Sequence, residues 1–107
     1  MASQARTALI VSAASSGDNT LLAAVTGYKI RVLSYTLVAA ATVTVAFESA
    51  ASGTALTGDM TLIAGVPLVV PLQAEGHFET AVSALLNLEL GGAVQVSGHL
   101  TYCLVAA

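Results

Sequence analysis

The chain has no tryptophan and one cysteine, and only 9 of its 107 residues carry charge, three basic and six acidic. A typical soluble domain has about a quarter of its residues charged. Each shortage excludes something. A single cysteine, Cys103, rules out a disulfide within the chain and reads as a small buried hydrophobe. Three cations, Arg6, Lys29 and Arg31, with a net charge of −3 cannot neutralise a run of phosphates, so no nucleic acid is expected as a partner. Five aromatic residues are too few for the aromatic cleft of a small-molecule site, and no small-molecule substrate or cofactor is expected. The uncharged runs 32–47 and 60–74 fall short of the ~18 residues a membrane helix needs, and the first alternates Ser and Thr with apolar residues. These runs read as strands, and no membrane partner is expected. Residues 1–6 lead into a short mixed run without a long apolar stretch, so no secretory signal is expected either.

What the chain has in excess is alanine (21), leucine (15) and valine (13). Disorder is incompatible with this hydrophobicity. A domain of this size buries about two-thirds of its unfolded surface, which is too little to hide so many apolar side chains, so part of the excess is expected to meet a partner.

Nearly every segment alternates with period two and is bounded by Gly, Asn, Asp or Ser, which marks an all-β domain. About eight strands are expected, at 7–13, 20–25, 29–38, 42–50, 60–63, 68–72, 85–90 and 94–105, with loops at 15–19, 51–58 and 73–82. The segment 81–86 alone has some helical character, and it is too short to stand as a helix. Together these suggest an antiparallel β-sandwich of jelly-roll type, with an Ig-like sandwich second. Residues 13–107 form a single domain in this reading. Residues 1–12 are either its first strand or an arm added to a neighbour's sheet.

Two hairpins follow from register. A three-residue loop at 91–93 pairs Leu90 with Val94, Leu88 with Val96 and Leu86 with Gly98. A loop at 39–41 pairs Leu37 with Val43, Tyr35 with Val45 and Leu33 with Phe47. The reverse face of the second hairpin carries Thr36 against Thr44 and Ser34 against Ala46, small and uncharged. It is either solvated or abuts another surface.

Glu75, His77 and Glu79 share one side if extended, and two carboxylates with an imidazole are a donor set for a divalent ion. The competing reading is a polar loop with Phe78 turned inward as an anchor. His99 shares the outer face of the last strand with Ser97 and Thr101. It lies four residues from Cys103, roughly 13 Å along a strand, too far for a thiol–imidazole pair. No nucleophile elbow, phosphate loop or dinucleotide fingerprint occurs, so no catalytic residue, metal ligand or cofactor is assigned and an enzyme is not expected.

The run Arg31-Val-Leu-Ser-Tyr35, then Val43-Thr-Val-Ala-Phe47, Leu56-Thr-Gly-Asp-Met-Thr-Leu62, Gly76-His-Phe-Glu-Thr80, Leu86-Asn-Leu88 and Val96-Ser-Gly-His-Leu-Thr-Tyr102 resembles small virion structural proteins of tailed bacteriophages. The likeness runs from Tyr28 to the end, and His77 stands where that pattern has an aromatic residue. It implies a small self-associating β-sandwich, a homotrimer, that caps or cements the capsid. The expected function is therefore that of a capsid decoration (cement) protein bound to the major capsid protein on the virion surface. Two alternatives stand beside it: a carbohydrate- or receptor-binding sandwich module, and another virion part such as a head–tail connector or tail-tube subunit.

Overall fold

A computed structural model describes residues 5–106. Among them there is no helix. Ten strands form two antiparallel five-stranded sheets. They are β1 (Thr7–Ala13), β2 (Thr20–Leu22), β3 (Tyr28–Ala39), β4 (Val43–Ser49), β5 (Thr54–Ala55), β6 (Met60–Leu62), β7 (Leu68–Val70), β8 (Phe78–Glu79), β9 (Leu86–Leu90) and β10 (Val96–Ala106). The first sheet runs β1-β10-β3-β7, with β8 also on β3; the second runs β2-β9-β4-β5, with β6 also on β4.

β5 and β6 occupy one edge of β4, and β7 and β8 one edge of β3, so each pair acts as a single interrupted strand. Eight strands then remain, in the orders 1-8-3-6 and 2-7-4-5. That is the double Greek key of a jelly roll. β5 and β8 are additions to the expected strands, since 51–58 and 73–82 read as loops in sequence. The segment 81–86 is a turn that enters β9 at Leu86, with Ser83 at φ 60° and the Ala84 N–H on the Ala81 carbonyl.

The topology corrects both hairpins. β3 lies in the first sheet and β4 in the second; β9 pairs with β4 and β2, while β10 pairs with β1 and β3. The connections at 40–42 and 91–95 are arches from one sheet to the other. They are tied together by the Ala40 N–H on the Gln95 carbonyl and the Gly91 N–H on the Thr44 carbonyl. The proposed Leu37–Val43 and Leu88–Val96 partners therefore belong to facing sheets, and their side chains meet through the core. Alternation decides which face a residue takes, and it is silent on which strand lies beside it.

Leu33 departs for a second reason. Ser34 pairs with Thr101 and Val32 with Tyr102, which leaves Leu33 as the extra residue of a β-bulge. The bulge reverses the parity of β3: Ile30 and Val32 face the core before it, Tyr35, Leu37 and Ala39 after it. Leu33 is buried outside the main cluster, and its carbonyl accepts from the Gln73 N–H. The core between the sheets is built on Phe47, Leu37, Leu86, Leu88, Leu90 and Leu100, each at most 1% exposed, and their neighbours. Phe78 anchors its loop there, with its ring 5.1 Å from Phe47 and 6.1 Å from Tyr35.

Candidate functional site

The two outer faces of the sandwich differ in chemistry. On the first sheet, Ile10 of β1, His99 of β10, Thr36 of β3 and Val69 of β7 form one row across all four strands. Ser12, Ser97 and Val38 make the next row, and Ala8, Thr101 and Ser34 the row beyond. None of these residues is an aspartate, glutamate, lysine or arginine. Ile10 is 82% exposed and Val69 62%. The Gln95 amide bridges the Ser12 and Ser97 hydroxyls at 3.1 and 3.2 Å, closing the top of the patch with a neutral group.

Thr36 and Ser34 thus lie on an outer face as the alternation indicates, but Thr44 and Ala46 lie on the other sheet. The small uncharged face is assembled from β1, β10, β3 and β7 instead. Finding it required knowing that β1 and β3 flank β10.

Toward the other end of β3 lies the cationic group. Glu79 accepts from Arg31 Nε at 2.9 Å and Nη2 at 2.8 Å, with Lys29 Nζ at 3.2 Å. The hydrogen bond from Arg31 holds its carboxyl below the usual range, helped by Lys29 and opposed by partial burial. Glu79 is therefore engaged. The His77 Nε2 lies 2.9 Å from the Pro71 carbonyl. A carbonyl only accepts, so this nitrogen carries the proton and is not free to bind a metal. Among the described residues no group of three His, Cys, Asp or Glu side chains is placed to hold an ion, so the structure does not assemble Glu75, His77 and Glu79 into a site. Cys103 is buried beside Arg31 in register, and His99 pairs with Ile10 and Thr36, so thiol and imidazole stay apart.

The second sheet carries the acids. Asn87 of β9 is fully buried and acts as their hub. Its Nδ2 donates to Asp18 Oδ1 at 2.8 Å and to Glu48 Oε1 at 2.9 Å, and its Oδ1 accepts the Asn19 N–H at 2.7 Å. Asp18 also accepts from the Ser52 hydroxyl and N–H at 2.7 and 3.0 Å, and these bonds, with that from Asn87, lower its pKa. Ser52 sits at φ 51° in the β4–β5 turn, so Asp18 pins a left-handed residue. Glu89 is pushed up by a hydrogen bond and charge repulsion from Glu48, then by desolvation and the charges of Asp18 and Asp59. The sequence offered no signal for this network, because its members come from four separated segments.

Beside the arches an open cavity of about 290 Å³ is lined by Thr42, Thr44, Thr61, Gly91, Gly92 and Val94, among others. It presents hydroxyl, methyl and backbone groups and no titratable side chain. Aromatic platforms are similarly scarce: Phe47 and Tyr35 are buried, the latter with its hydroxyl 3.8 Å from Met60 Sδ, and Tyr28 is the one aromatic among the strongly exposed hydrophobics. No protein-family model, curated protein or solved structure matches the chain.

Proposed function

We propose that the protein is a structural virion subunit, a decoration protein that lies on the outer surface of a phage head against the major capsid protein. The observation that carries this reading is the uncharged outer face of the first sheet, with Ile10 and Val69 open to solvent. Such a face loses little on desolvation, since it buries no fixed charge, and it gains by covering apolar area at about 25 cal/mol per Å². A single small contact offsets only part of the lost translational freedom. Hundreds of equivalent positions on a shell, with contacts between neighbouring subunits, compensate for weak individual binding.

The test is rebinding of purified protein to capsids that lack it, with position and stoichiometry read by electron microscopy. Thr36→Asp, which places a charge at the centre of the face, is expected to abolish rebinding while the circular dichroism spectrum stays that of the parent. Absence of capsid binding together with saturable binding on a glycan array would replace this reading with the carbohydrate-binding one. Localisation to a neck or tail ring would replace it with a connector or tube subunit.

A further inference from the structure

We infer that β1 is a self-association strand: its free edge pairs antiparallel with β1 of a second copy across a two-fold axis, joining two five-stranded sheets into one of ten. The inference is independent of what the assembled protein binds.

The edges of the sandwich show the contrast. β2, β6 and β7 have three residues each, and β5 and β8 two. β7 lies between Pro67 and Pro71, β8 is capped by the Glu79 ion pairs, and the pairing of β2 with β9 is irregular. These are the usual means by which a protein blunts a sheet edge. β1 has none of them. It runs seven residues, Thr-Ala-Leu-Ile-Val-Ser-Ala, in unbroken register with β10, without charge, proline or bulge. Among the described residues its backbone bonds only to β10, so the groups that point away from β10 have no partner.

A second copy of β1 fits this edge better than an arbitrary strand because the segment is self-complementary. A two-fold centred on Ile10 aligns all seven residues, and moving the centre by one residue loses two of the seven pairs. In the Ile10 register the outer-face residues meet each other, Ile10 with Ile10 and Ala8 with Ser12. The core-side residues do likewise, Leu9 with Val11 and Thr7 with Ala13. Both faces stay continuous across the junction, as alternation demands. No like charges oppose one another, since Arg6 comes opposite Ala14. Ile10, 82% exposed in the single chain, is covered by its own copy. An isologous contact of this kind requires one patch that is complementary to itself.

Seven residues a side is well below the roughly 20–30 of a standard interface, so the pairing is expected to be concentration-dependent, with a dissociation constant on the order of micromolar. A two-fold contact of this kind does not close a trimer, in which one edge always stays open. It therefore stands against the three-fold association that the bacteriophage resemblance implies.

Sedimentation equilibrium over a concentration series spanning the micromolar range is expected to show monomer and dimer. Ile10→Lys brings two ammonium groups together at the axis and is expected to weaken the dimer at least about tenfold, because like charges directly opposite repel. For a positional readout, Ile10→Cys is oxidised with oxidised glutathione beside Val69→Cys, another exposed position on the opposite edge of the same face. Directly opposed strand residues have Cβ atoms about 4.5–5.5 Å apart, close to disulfide range, and native Cys103 is buried. The cysteine at position 10 is expected to give a covalent dimer and the one at position 69 is not. A monomer at every concentration, a trimer, or equal cross-linking of the two variants would overturn the inference. Capsid rebinding is measured separately, so its failure leaves this result standing, and the reverse holds too.

Discussion

Replacing Asn87 by aspartate keeps the shape of the side chain and exchanges its two-bond donor for an oxygen aimed at two carboxylates. Asn87 is fully buried between Asp18 and Glu48, and Glu89 adjoins Glu48. A fourth carboxylate in this position forces the cluster to hold one extra proton, whichever oxygen carries it. With an unfolded-state aspartate pKa of about 3.9 and 1.36 kcal/mol per pH unit, that proton costs up to about 4 kcal/mol near pH 7 and about 1.5 near pH 5. Losing one of the two donated hydrogen bonds adds about 1–3 kcal/mol at either pH. The figures are ceilings, since Asp18 is open to solvent and water screens part of the repulsion. The sign follows from linkage: the folded variant binds more protons than the unfolded one, so its stability falls as pH rises through this window. Asn87→Ala loses both donated hydrogen bonds without adding charge, and its cost is expected to be the same at about pH 5 and pH 7. Urea unfolding of both variants and the parent at the two pH values reads the difference. If the aspartate and alanine variants are destabilised equally at both, the carboxylates do not share Asn87 as their donor and the network is wrong.

Glu89→Gln mimics the protonated carboxyl. Because Glu48 raises the Glu89 pKa in the fold, Glu89 contributes stability that is present below its unfolded-state pKa and lost as pH rises through the folded one. The glutamine variant is expected to be more stable than the parent at neutral pH and equal to it in acid. A urea titration series between about pH 4 and 8 checks this, and a loss of stability at neutral pH would contradict it. Gly98 stands at φ 150° near the start of β10, where a Cβ would overlap the Thr36 carbonyl. Gly98→Ala therefore combines a strained backbone with a clash against the neighbouring strand, and is expected to cost at least about 2 kcal/mol. In a domain near 100 residues that is roughly 8–16 °C in Tm, and an unchanged melting curve would show that β3 and β10 do not approach so closely.

Much of the fold was legible in sequence because burial in a sheet is written in period two. Leu37, Val43, Val45, Phe47, Leu86, Leu88 and Leu90 are core residues by alternation, and the structure buries each of them. Leu33 broke the pattern because a bulge depends on the neighbouring strand, here the shift between Thr101 and Tyr102 of β10. The Glu75, His77 and Glu79 set failed differently. Spacing puts three donors on one side of a strand, but the Pro71 carbonyl and the Arg31 and Lys29 side chains engage two of them.

The sequence by itself determined the class of the protein: all-β, sparse in charge, with more apolar surface than one small domain hides. Composition and alternation are local properties, and they survive any choice of strand partners. Only the tertiary structure decided which strands lie side by side. In a jelly roll most successive strands cross between the sheets, so neighbours in sequence become neighbours through the core, and sheet partners come from opposite ends of the chain. That crossing places β1 beside β10 and leaves its far edge open. It also collects the uncharged rows on one face and the acids around Asn87 on the other.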